Sequence, residues 1–166
     1  MVKVKYIVAA LIIIVGGIAI FFYVFESQEA KIKKQFKFIA EKIEKSPGES
    51  PIISGRKAKS IAKVFADPCF INIPVYDYSQ EVTSESLSRY VFTMRSRYTR
   101  ISMTFYDFSF EHMEKETARV TITAGIAGSL STGETVKDIH EVTCSLKKSD
   151  DGWQFVKVEV VEVLKK

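Results

Sequence analysis

Two kinds of hydrophobic pattern divide the chain. From Tyr6 to Phe25 run 20 residues without a charge, 18 of them apolar. As a helix rising about 1.5 Å per residue, such a run spans roughly 30 Å, the thickness of a bilayer's hydrocarbon core. Beyond it the apolar positions become periodic. Ile32, Phe36, Ile39, Ala40 and Ile43 recur at helical spacing, with Lys33, Lys34, Lys37, Glu41, Lys42 and Glu44 mostly opposite, so the spacing predicts an amphipathic helix over 31–45. Ser46-Pro47-Gly48-Glu49-Ser50-Pro51 reads as a loop. Ala58, Ile61, Ala62 and Phe65 predict a second helix over 55–66, stopped by Pro68. Cys69 to Ile73 is a short strand, and 74–82 a loop. Thr83 or Ser84 caps a third helix, whose apolar face is Leu87, Tyr90, Val91, Met94 and Tyr98.

The rest of the chain has the period of two expected of strands. Ile101, Met103 and Phe105 alternate with polar residues, and then Tyr106, Phe108 and Phe110 take over the apolar phase. A one-residue slip exchanges the faces, so a β-bulge is expected near Phe105-Tyr106. Ala118 to Ile126 alternates strictly, and Ser129 to Gly133 makes a turn. The next strand carries Val136, Val142, Cys144 and Leu146 on one face. Ser149-Asp150-Asp151-Gly152 is a hairpin turn. Trp153 and Phe155 open the last strand, and Val156, Val158 and Val160 continue on the other phase, which calls for a second bulge. Bulged antiparallel strands curl a sheet.

The apolar run is read as an uncleaved anchor. A signal peptide's apolar core is shorter, about 7–15 residues, and ends in a small-x-small site. Here the exit is Phe25-Glu26-Ser27-Gln28. The expected organisation is a short tail over 1–5, a transmembrane helix over 6–25 and one folded domain over 26–166. Lys3 and Lys5 precede the span, while Lys31, Lys33, Lys34 and Lys37 follow it. Long translocated domains largely escape the charge rule, so the reading taken puts the amino terminus inside and the domain outside the cytoplasm.

Charge narrows the function classes. The chain carries 24 Lys+Arg against 20 Asp+Glu, and the two lysines before the span leave 22 against 20 over 26–166. That near-balance argues against a nucleic-acid partner. Two cysteines exclude a disulfide scaffold.

The order of helices and strands, with Val64-Phe65-Ala66-Asp67-Pro68-Cys69-Phe70, Ser84-x-x-Leu87 and Asp151-Gly152-Trp153-x-Phe155-x-Lys157-Val158, resembles the nuclear-transport-factor-2-like, or SnoaL-like, superfamily over roughly residues 31–164. The resemblance implies an α+β, cystatin-like fold. A strongly curved antiparallel sheet wraps three helices into a cone with an internal pocket. Members include isomerases, dehydratases and cyclases as well as binding and assembly modules. With an anchor ahead of it, the layout is similar to bitopic subunits of type IV secretion systems and to membrane proteins of lipid-import operons.

Candidate chemistry is sparse. Asp138 and His140 share the strand face of Val136, Val142, Cys144 and Leu146. In a pocket they would serve as acid and base, or as ligand donors. Beyond the core they would simply meet solvent, and that is the favoured reading. Asp67 lies in a region where acidic residues line the pocket of some enzymatic relatives, but a carboxylate before proline is more often a turn acceptor. Tyr76, Tyr78, Tyr90, Tyr98 and Tyr106 offer apolar bodies with polar tips. Tyr76, Tyr90 and Tyr106, with Asp138 and His140, are the candidate ligand contacts. Arg89, Arg95, Arg97 and Arg100 read as a solvated helix face. His112, with Glu111 and Glu114, lacks metal-site spacing. Cys69 and Cys144 could pair if exported, or stay as buried thiols. No cofactor or metal is expected. The leading expectation is a membrane-anchored binding or assembly module, with a small apolar ligand, a second copy or a membrane-complex partner. The alternative is a SnoaL-like enzyme using Asp138, His140 or Asp67.

Overall fold

The computed structural model describes residues 27–163, so the expected transmembrane segment lies outside the described residues. Among the described residues, no helix is long and apolar enough to cross a membrane. Residues 27–32, the first turns of helix α1 (Gln28–Ile43), group apart from the unit that begins at Lys33. The latter unit carries the fold described below.

From Lys33 onward, α1 buries Phe36, Ile39 and Ile43 at the expected spacing. The helix stops two residues short of expectation because Lys45 bridges to Ile101: its N–H donates to the Ile101 carbonyl at 2.9 Å. Helix α2 (Pro51–Ala62) begins four residues earlier than the spacing suggested. Ser50 is its N-cap, accepting from the Ile53 N–H, and Pro51 occupies the first turn, where a missing N–H costs nothing. What looks like a breaker pair is a start signal. The helix also ends earlier, because Phe65 leaves it to pair with Phe155 in the sheet.

Strand β1 (Phe65–Ile73) is longer than expected and runs through Pro68. Its register against the last strand shifts between Phe65 and Phe70, which absorbs the proline's missing donor. A 3-10 turn (Pro74–Tyr76) and Asp77 in the left-handed region, at φ 51°, then reverse the chain. Strand β2 (Tyr78–Val82) follows, in a stretch expected to be loop. It escapes the pattern because it is a short edge strand with only Val82 buried. Helix α3 (Ser84–Ser96) is capped by Thr83, whose hydroxyl accepts from Ser86. Four long strands complete the chain: β3 (Tyr98–Met113), β4 (Thr117–Leu130), β5 (Thr135–Ser149) and β6 (Gly152–Val163).

The sheet order is β2-β1-β6-β5-β4-β3. All neighbours are antiparallel except β1 and β6, which are parallel. The sheet is therefore mixed, where an antiparallel one was expected. Its core side carries Ile101, Val120, Ile122, Ala124, Cys144, Leu146, Trp153 and Phe155. Both expected phase changes occur. On β6 the register slips between Phe155 and Lys157. On β3 it slips between Tyr106 and Ser109, with Asp107 at φ 53°. That is two residues later than expected, so Tyr106 stays on the outer face opposite Thr123, and Phe108 is the first residue to turn in. These bulges curve the sheet around the helices.

Candidate functional site

The centre of the curved sheet, where a pocket was expected, holds the ring of Phe36. It stands edge-on to Phe155 at 5.0 Å, Phe105 at 5.2 Å and Phe108 at 5.3 Å between centroids. Edge-to-face contacts at this spacing add to the apolar burial of each ring. Phe65 extends the cluster by packing on Phe155 at 5.1 Å.

The polar candidates lie around this plug and do not converge. His140 faces inward on β5, in register with Ala124 and Val163. It is partly buried, and its Nδ1 is buried without a hydrogen-bond partner. Asp138, two residues before it and opposite Ile126, is exposed. Asp67 is on β1, exposed, and accepts a hydrogen bond from the Ser84 N–H at 3.2 Å, holding the start of α3. It is an acceptor, as favoured on sequence grounds, but its donor is at the start of another helix and not in its own turn. Tyr76 is 75% exposed on the 3-10 turn, and Tyr106 projects from the outer face. Tyr90 and Tyr98 share a concavity. Together with Met94, Arg97 and Leu130 they line a dish of about 450 Å³ between α3 and the start of β3. His112 forms an exposed contact with Glu114 at 3.0 Å.

Arg95 departs most from expectation. It lies not on a solvated face but fully buried. Its guanidinium donates to the carbonyls of Lys42, Ile43 and Glu44, to Ser54 Oγ at 3.2 Å and to a Glu49 carboxylate oxygen. The carbonyls at the end of α1 lack helical partners and are satisfied by this cation. Lys57 closes the cluster, 2.6 Å from the other Glu49 oxygen and 2.8 Å from the Glu44 carbonyl. Lys45 Nζ in turn donates to the Arg95 and Tyr98 carbonyls. Burial pushes the Glu49 carboxyl up, but hydrogen bonds from Lys57 and Arg95 outweigh it and hold it below the usual range. One guanidinium thus ties all three helices together. The spacing Leu87, Val91, Arg95 puts it on the buried face of α3, a local signal obscured by the exposed Arg89, Arg97 and Arg100 around it.

The two cysteines are buried free thiols on strands separated by β6. Burial pushes Cys69 up to about 11. Burial, with the neighbouring Cys69, pushes Cys144 up to about 12. Neither is an activated nucleophile.

Another concavity is lined by helix residues. Between α2 and α3 runs a groove of about 560 Å³, whose lining includes Lys59, Lys63, Arg89 and Phe92. The sequence pattern carried a signal for it, since Ile52, Arg56, Lys59 and Lys63 share one helical side. Of these four, only Ile52 lies outside the helix expected over 55–66.

No family model and no curated protein matches the chain. Solved structures do match in fold. A calcium/calmodulin-dependent protein kinase II association domain from Xanthomonas campestris, so described provisionally, is similar at TM-score 0.63 and 10% identity, over 81% of this chain and 87% of that one. A scytalone dehydratase from Novosphingobium aromaticivorans, likewise a provisional description, gives 0.63 and 11% over 81% and 82%. A hexachlorocyclohexane dehydrochlorinase gives 0.64 and 12% over 82% and 88%. The fold is that of nuclear-transport-factor-2-like, SnoaL-like α+β proteins. At these identities the likeness extends to the fold and no further.

Proposed function

We propose that this protein is a membrane-tethered binding or assembly module, held by residues 6–25, with its folded domain outside the cytoplasm. The observation that carries the reading is the Phe36 plug. The cone's centre is filled by the chain's own aromatic rings, and Asp67, Asp138 and His140 do not meet around an enclosed space. Acid–base catalysis needs such groups within reach of one substrate. The similarity to an association domain fits this reading. Native mass spectrometry of the full chain released from detergent tests it. A ligand-free oligomer is expected, or a monomer carrying an apolar molecule that the Asp138→Asn/His140→Gln variant retains.

The alternative is a SnoaL-like enzyme, which the buried, partnerless Nδ1 of His140 favours, as do the dehydratase and dehydrochlorinase among the structural neighbours. A bound small molecule turned over by the wild type but not by the Asp138→Asn/His140→Gln variant would establish that reading and overturn the first.

A further inference from the structure

We infer that the groove between α2 and α3 docks the domain onto an anionic phospholipid surface. The inference deepens the tethered reading and rests on it, since such a face serves a domain held close to a bilayer.

Helix α2 and its C-cap place Ile52, Arg56, Lys59 and Lys63 at i, i+4, i+7 and i+11, along one side. Ile52 is 70% exposed. Arg56, Lys59 and Lys63 are exposed, and their side chains have no hydrogen bond or ion pair among the described residues. Across the groove, α3 contributes Arg89 and Phe92, the latter 36% exposed. Glu85 is the one acid in the lining, 3.8 Å from Arg89, with both side chains largely in solvent. The groove stays open at Gly55, where an added Cβ would touch nothing. Lys57 shows that this helix can neutralise a cation by pairing it, as it does with Glu49, yet its neighbours on the groove side are left unpaired.

Uncompensated cations beside separate apolar tips match a lipid interface. Phosphate groups meet the ammonium and guanidinium heads, while Ile52 and Phe92 enter the boundary between headgroups and acyl chains. A protein partner's interface would instead be centred on a contiguous apolar core with few charges.

The test uses the full chain in nanodiscs, with a fluorophore on Ser88→Cys in the groove and, separately, on Ser109→Cys on the outer face of β3. Cys69 and Cys144 are buried and escape labelling. Quenching by headgroup spin-labelled lipid is compared in phosphatidylcholine discs and in discs that also contain phosphatidylglycerol. The Ser88 label should be quenched only with the anionic lipid, and the Ser109 label in neither. In Lys59→Gln/Lys63→Gln/Arg89→Gln, quenching should fall to the phosphatidylcholine level. Removing one surface cation weakens binding about fivefold, so three weaken it on the order of 100-fold. Equal quenching in both discs, or quenching that survives the triple variant, overturns the proposal. So does an absence of quenching in a chain whose groove label is instead shielded by an acidic protein. Flotation with phosphatidylcholine vesicles in about 1 M salt, where the Debye length is about 3 Å, reads the tether alone. A chain that fails to float there but is quenched by anionic lipid loses the tether and keeps the face, and the converse loses the face.

Discussion

Helix α2 carries lysines on two sides that meet opposite fates. Lys57 turns inward to Glu49 and the Glu44 carbonyl and joins the buried Arg95 cluster. Lys59 and Lys63 face an open groove with no partner among the described residues. Each side-chain nitrogen of the inner cations has a carbonyl, hydroxyl or carboxylate partner, so charge is used there to join helices. The outer cations meet only water and are free to bind. Buried charge that is fully paired reads as architecture, whereas exposed charge left unpaired beside apolar tips reads as a surface for something else.

The largest effect that would break this contrast is expected at Arg95. Arg95→Met leaves the Glu49 carboxylate and three helix-end carbonyls short of donors, and should cost about 3–5 kcal/mol in chemical unfolding. A change under about 1 kcal/mol would mean the cluster is not what joins the helices. Phe36→Ala should cost a similar amount, about 3–5 kcal/mol, because it empties the centre of the cone. If that variant also gains a bound apolar molecule in native mass spectrometry, the fold keeps a latent pocket under the plug.

Acid should act on the inner cluster, and not on the groove cations. The Glu49 carboxyl is held below its ordinary value of 4.5, so its contribution is fully present above that pH and is lost as pH falls through the lowered value. Melting temperature should therefore drop steeply below pH 4.5, and Glu49→Gln should flatten that part of the profile while lowering stability at neutral pH. A smaller loss, about 1 kcal/mol, is expected for Ser50→Ala, which removes the cap of α2. The smallest belongs to the groove: Lys59→Gln/Lys63→Gln should leave unfolding within about 0.5 kcal/mol of wild type. A larger loss would place these lysines in the architecture and erase the contrast.

Legibility followed the same division. The buried face of α1, the alternation of β4 and two of the sheet's register slips, one on β3 and one on β6, could be read from the chain, because apolar burial imposes a period on neighbouring residues. Strand β2 could not, since an exposed edge strand needs no apolar alternation. The start of α2 was obscured because Ser50-Pro51 serves equally as a loop and as a cap with its first turn. Among the candidate site residues, the placement of Asp138 and His140 on one strand face was legible. The orphaned Nδ1 of His140 was not, because burial of a single atom depends on neighbours distant in sequence.

Sequence alone determined where apolar surface must be hidden: one uncharged run of bilayer length, one amphipathic helix after it, and a run of alternating strands with two slips of phase. These follow from periods of 3.6 and 2, which are local properties of the backbone. The tertiary structure decided which polar groups would find partners. Arg95, Arg97 and Arg100 are alike as letters, yet only Arg95 meets the end of α1, and β1 pairs in parallel with a strand from the far end of the chain. Pairing of charge and closure of a pocket are set by contacts between distant segments, and no local period encodes them.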